Sequence, residues 1–137
     1  MASILQIINA DRNLSYFSKA LKVSGLEDQL NESGPFTLLS PVNLAFGRMD
    51  VDREEFLLPA HRKKLVALLS DHILTGKKML DDFRSGRKFK TISGKEVTVN
   101  LKNGEICINN AMILARDRQG KNGVVHSIDA VYDIEAK

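Results

Sequence analysis

The chain has 137 residues, 20 of them basic and 17 acidic, for a net charge of +3. That is the length of one ordinary domain of about 100–150 residues, large enough to bury a core without disulfides or a metal, and the single cysteine, Cys107, excludes an intramolecular disulfide framework and a multi-cysteine zinc site. With 43% apolar and 27% charged residues the composition excludes a disordered chain, and a balance of +3 is too weak to imply nucleic acid.

In chain order, the first 30 residues read as helical. Ser3 is placed to cap a short helix carrying Ile4, Leu5, Ile7 and Ile8 on one side, and Asn13 to cap a second with Leu14, Phe17, Ala20 and Leu21 on its apolar face. Gly25 is the expected stop. Gly34-Pro35 is a turn signal, Phe36 to Ser40 a buried strand ended by Pro41, and Val42 to Met49 a short helix. Asp52 and Glu55 have capping-box spacing, and after Pro59 a clearer helix runs from His61 to about Ser70 with Leu65, Leu68 and Leu69 on one face. Gly76 breaks the chain again. From residue 87 the period changes from helical to alternating: Lys88 to Ile92, Glu96 to Leu101, Glu105 to Asn109 and Ala111 to Ala115 read as strands. Asn103-Gly104 is a strong hairpin signal, and Asn122-Gly123 marks a further turn before a long last strand, Val124 to Ile134. On that strand Val125, Ser127, Asp129 and Val131 share one face, and Val124, His126, Ile128 and Ala130 the other. Helices crowd the N-terminal half and consecutive strands the C-terminal half. That order predicts an α+β domain with an antiparallel sheet or sandwich, not alternating βαβ units.

The N-terminus has neither the positive n-region nor the apolar run of a signal peptide. No stretch approaches the ~20 apolar residues that span a bilayer. The pattern fits a complete small protein and a domain cut from a longer one equally well.

Three segments carry a resemblance. Phe36-Thr37-Leu38-Leu39-Ser40-Pro41-Val42-Asn43-Leu44-Ala45-Phe46 resembles the first signature of the fasciclin (FAS1) domain: a hydrophobic strand, Pro, a small polar residue, Asn or Asp, and an Ala-Phe pair. Asn122-Gly123-Val124-Val125-His126-Ser127-Ile128-Asp129-Ala130-Val131 resembles the second, and Leu68 to Lys77, containing His72, the central Tyr-His segment. Order, spacing and length agree over nearly the whole chain, so residues 1–137 are expected to form a single domain of this kind. The resemblance implies an antiparallel β-sandwich or wedge with several short helices packed at one side. It also implies an extracellular, periplasmic or cell-surface location, a protein, surface glycan or matrix component as partner, and His72 lying beside Asn43 and bonding to it. Val42 replaces the usual Thr or Ser, Leu44 a common Glu, and Asp71 the usual Tyr. The first and third changes remove hydroxyls. The motif residues suit a structural role: Asn43, at a strand-to-helix junction, can satisfy free backbone groups, and Gly123 can supply the positive φ of a turn.

No catalytic or cofactor signature stands beside these. His61, His72 and His126 lack a second His or Cys at metal-ligand spacing. Ser70-Asp71-His72 has the residue types of a triad, but neighbours in sequence cannot converge on one point, and no Gly-x-Ser-x-Gly elbow exists. No phosphate loop or dinucleotide fingerprint is present. Asp81-Asp82 reads as solvated or turn-capping, since a calcium loop needs several spaced oxygen ligands. Cys107, alone in a strand, is expected to be inert. Asn13-Leu14-Ser15 and Asn31-Glu32-Ser33 match the N-glycosylation pattern, at about the frequency chance supplies.

The distribution of charge is more informative than its total. Between residues 62 and 90 lie Arg62, Lys63, Lys64, Lys77, Lys78, Arg84, Arg87, Lys88 and Lys90 against Asp71, Asp81 and Asp82, a segment of +6 within a chain of +3. If the fold gathers these residues, they form an alternative function: a face for sulfated or acidic polysaccharide, anionic headgroups or an acidic protein. Nucleic acid fits less well, with Phe83 and Phe89 as the segment's only stacking aromatics. The main expectation is a non-enzymatic adhesion or protein-interaction module.

Overall fold

In the computed structural model, residues 2–32, 34–49 and 52–132 are described. Six helices, α1 (Ile4–Asn9), α2 (Ser15–Ser24), α3 (Leu26–Leu30), α4 (Asn43–Gly47), α5 (Arg53–Phe56) and α6 (Arg62–Ser70), alternate early with β1 (Phe36–Pro41) and β2 (Ile73–Thr75). Then follow β3 (Lys88–Lys90), β4 (Glu96–Lys102), β5 (Glu105–Ile108), β6 (Ala111–Met112), β7 (Arg118–Gly120) and β8 (Gly123–Ile128). The strands make two four-stranded sheets, ordered β2-β1-β8-β7 and β3-β4-β5-β6. Isolated bridges, Leu74 to Thr91 and Ile113 to Ile128, join the sheets at both ends and make a wedge.

Local chemistry accounts for several boundaries. At α1, Ser3 Oγ accepts from Gln6 N–H and Gln6 Oε1 accepts from Ser3 N–H, a complete capping box. Gly25, with φ +86°, ends α2 in the left-handed conformation. Asp52 caps α5 through the N–H groups of Glu54 and Glu55. Asn103 (φ 55°) and Gly104 (φ 82°) form the two-residue turn between β4 and β5, with Lys102 opposite Glu105, as a primed hairpin turn requires.

Two cores share β1 and β8. Leu38 and Val125 face the helices and pack with Ile4, Phe17, Leu21, Leu65 and Leu69. Leu39 and Ile128 face into the wedge, against Phe83, Phe89, Val97, Val99 and Ile108. All six residues of each strand are buried, so each alternate side chain has an apolar layer to enter.

The structure departs from the sequence reading at several places, beginning with β2 and β7, which that reading did not contain. The β1–β8 pair is parallel, Phe36 opposite Gly123 through Pro41 opposite Ile128, whereas the other pairs are antiparallel. The last strand ends at Ile128, because Asp129 turns its backbone and carboxylate onto Met112; the stretch 133–134 lies outside the described residues. The strand expected over 111–115 is two residues long, followed by the single bridge at Ile113. Finally, Asn13 does not cap α2. Asp11 caps the short 3-10 turn Arg12–Leu14, and the amide that serves α2 comes from elsewhere in the chain.

Candidate functional site

Thr37, Asn43, His72, Asn122, His126 and Asp129, from the three motif segments, reach hydrogen-bond partners inside the protein. Pro41 ends β1 and Val42 starts α4, which places Asn43 beside the N-terminus of α2. Its Oδ1 accepts from Tyr16 N–H at 2.9 Å, while Nδ2 donates to Arg12 O and Ser15 Oγ, both at 2.9 Å. A helix N-terminus leaves N–H groups without intrahelical partners, and Asn43 supplies one from 27 residues away. Ala45 and Phe46 are buried beneath it, Phe46 with its ring 4.5 Å from Tyr16 and 6.5 Å from Phe17. Val42 occupies the N-cap of α4 and has no side chain to bond there.

Asn122 is the counterpart at the other end of β1. Its Oδ1 accepts from Ile4 N–H at 3.0 Å, its Nδ2 donates to Leu30 O at 2.9 Å, and its backbone carbonyl accepts from Phe36 N–H at 3.1 Å. One residue thus joins α1, α3 and β1. Sequence reasoning singled out Asn122 as a turn residue, because Asn-Gly carries that local meaning and nothing local encodes its distant partners. Gly123 has the positive φ expected of it, +157°. It lies within β8, and a Cβ on it would sit 2.0 Å from Phe36 O. Both that φ and the close approach of β1 exclude a side chain there.

His72 does not bond to Asn43. Its Nε2 accepts from Tyr132 N–H at 3.0 Å, so the proton is on Nδ1, which donates to Leu68 O at 2.8 Å. The ring stacks on Tyr132 at 4.3 Å and 8°. Burial pushes its pKa from 6.5 down to about 4, with the Leu68 carbonyl opposing weakly. His126 has the same arrangement with the nitrogens exchanged: Nδ1 accepts from Asp117 N–H at 3.1 Å, and Nε2–H donates to Lys78 O at 2.8 Å. Burial lowers its pKa too, against the Lys78 carbonyl and the Asp117 charge. Asp71, in the usual Tyr position, is buried; Oδ1 accepts from Ser93 Oγ at 2.6 Å, and Oδ2 is 3.9 Å from Lys95 Nζ. Thr37 binds the loop after β2 from both sides of its hydroxyl, donating to Gly76 O and accepting from Lys78 N–H. Asp129 Oδ1 accepts from Met112 N–H at 2.8 Å. Ser93 and Asp117 were not foreseen; Asp117 sits at φ 57° and its carboxylate accepts from Leu80 N–H, a role with no local sequence signal.

Ser70, Asp71 and His72 do not converge, and no group of three or more metal-ligating side chains occurs among the described residues. Asp82 caps the 3-10 turn Leu80–Asp82 through Met79 N–H. Cys107 is buried in β5. The basic segment divides. Lys63 and Lys64, on α6, line a recess of about 550 Å³ with Met49, Phe56, Leu68 and Tyr132. Lys78 and Arg87 instead converge on the ring of Phe89. Lys88 and Lys90 alternate with buried Phe89 on β3 and are exposed.

A two-sheet wedge with helices packed over the β1–β8 face is the fold of a FAS1 domain. The structure superimposes on a FAS1 domain pair from the insect cell adhesion molecule Fasciclin I with a TM-score of 0.85, covering 98% of this chain and 52% of that one at 18% identity. The fasciclin domain family model matches residues 12–133, and the chain belongs to that family. It is 32% identical over 130 residues to the Synechocystis protein sll1483, covering 94% of this chain and 72% of that protein. It is also 33% identical over 125 residues to human periostin, of which it spans 14%. No described helix is long and apolar enough to cross a membrane.

Proposed function

We propose that the protein is a non-enzymatic adhesion or protein-interaction module acting outside the cell, at its surface or in the periplasm, with residues 1–137 forming a single domain of this family. The observation that carries this reading is the use made of the motif side chains. Asn43, His72, Asn122, His126 and Asp129 bond to backbone groups of the protein itself, so they are spent on holding the fold, and both buried imidazoles are held neutral. A scaffold of that kind presents its outer surface to a partner. Family membership supports it, as does the structural neighbour's being a cell adhesion molecule. The partner is a protein or a component of the surface or matrix.

Surfaces coated with the purified protein should retain cells of its source well above albumin-coated controls, and soluble protein should compete. Attachment equal to albumin overturns the reading.

A further inference from the structure

Thr37 and His126 belong to different motif segments, yet both bond to the same short loop. Thr37 Oγ1 donates to Gly76 O at 2.7 Å and accepts from Lys78 N–H at 2.8 Å, and His126 Nε2 donates to Lys78 O at 2.8 Å. The backbone of Lys78 is therefore pinned on both sides of its Cα by buried side chains. Its own side chain folds back over Gly76, where an added Cβ would lie 3.5 Å from both Cε and Nζ. This carries the ammonium to 5.4 Å from the centre of the Phe89 ring. The Arg87 guanidinium carbon is 5.2 Å from the same centre. Arg87 is fixed by its own backbone, whose carbonyl accepts from Val99 N–H and whose N–H donates to Arg84 O. Beneath, Phe83 meets Phe89 edge-on at 5.4 Å, and His126 meets Phe83 edge-on at 5.2 Å. A column of three packed rings thus carries two cations at its outer end.

The two distances place the cations within about 11 Å of each other. At that range in water the two charges repel only weakly, and the attraction of the ring face for each cation covers the cost. Among the described residues the ion pairs are Lys95–Asp71 and Arg118–Asp11, and neither Lys78 nor Arg87 takes part. The carboxylates of Asp82 and Asp117 are turned to the backbone N–H groups of Met79 and Leu80. An anion meets here two cations outside those ion pairs, the guanidinium supplying a planar pair of donors and the ammonium a point charge.

We propose that Lys78 and Arg87, held over Phe89 by Thr37 and His126, form a binding site for the sulfate groups of a sulfated polysaccharide. Exposed Lys77 and Arg84 extend the positive charge beyond what one small anion can occupy, so a polymer with repeated charges gains from the additional contacts. Nucleic acid is disfavoured because Phe83 and Phe89 are both buried and present no face for a base to stack on. A lipid surface is disfavoured because the large exposed apolar residues, Leu44, Leu58, Leu101 and Leu114, lie outside the stretch 76–90.

The test is retention on immobilised heparin at neutral pH, with Lys78→Gln/Arg87→Gln compared against Lys63→Gln/Lys64→Gln, which removes the same charge from α6. The first pair should weaken heparin binding about tenfold and lower the slope of log Kd against log salt by roughly one to two. The second should shift it much less. Equal shifts for the two pairs, or none for the first, overturn the site. Thermal melts establish that both pairs fold, and if the first does not, the single variants Lys78→Met and Arg87→Met replace it with the same criterion. Binding to phosphatidylglycerol vesicles stronger than to heparin, and lost in the same variants, overturns the polysaccharide assignment. The adhesion reading stands or falls separately, on cell attachment.

Discussion

Asn43 and Asn122 hold helices to the ends of β1 and β8 through bonds that span 27 to 118 residues. The β3–β6 sheet is built differently: β4 follows β3, and β5 and β6 follow in turn through tight turns, with pairing between chain neighbours. One half is tied by polar side chains reaching across the fold, the other by local turn chemistry and an apolar alternation. The difference teaches where specificity lies. Loss of a long-range tie leaves its partly buried backbone donor or acceptor without that partner, whereas a hairpin residue loses mainly a backbone preference.

The sharpest way to break this contrast uses two glycines. Gly123→Ala should cost more than about 4 kcal/mol or abolish folding, because its methyl has only the Phe36 backbone to displace. Gly104→Ala meets nothing within 4 Å and pays only for its φ of +82°, about 1 kcal/mol. Urea unfolding of the two measures the contrast, and similar costs would erase it.

Acidification probes the long-range half next. The His72 pKa is about 4 when folded and 6.5 when unfolded, so between those values the unfolded chain binds the extra proton. Its contribution is fully present above pH 6.5, falls as pH drops towards 4 and is then lost, a change of about 3 kcal/mol; His126 acts in the same direction. Protonation also removes the acceptor that Tyr132 N–H needs. A His72→Gln variant, already without the titrating ring, should show a visibly flatter stability profile between pH 6.5 and 4.

Asn122→Ala and Asn43→Ala should each cost about 1–3 kcal/mol, since each strands backbone groups at helix ends. Denaturant midpoints with unchanged m-values would establish that the loss is one of stability. The smallest effect has the opposite sign. Val42→Thr returns a hydroxyl to an N-cap that has no side-chain bond, and should raise stability by about 0.5–1 kcal/mol. A neutral result would mean that the α4 N-terminus needs no such cap.

Much of the fold was legible because it rests on local signals. The Ser3–Gln6 box, the Gly25 stop, the Asp52 cap and the Asn103-Gly104 hairpin each need only a few neighbouring residues. The motif segments were legible as segments, but the partners of their side chains were not. Asn13 looked like the cap of α2 because it precedes the apolar run, and Asn43 does that work from another part of the chain. The parallel pairing of β1 with β8 was equally hidden, because a buried apolar strand carries no record of its neighbour's direction.

Sequence alone set most of the elements, the α+β class and the family resemblance, since periodicity, caps and turn residues act over a few residues. Tertiary structure decided what the polar residues are for. It set Gly123 against Phe36, locked His72 and His126 neutral, and brought Lys78 and Arg87 to one ring while leaving Lys63 and Lys64 on α6. The reason is physical: a hydrogen bond or a charge pair depends on distance in space, and the chain alone specifies distance only along itself.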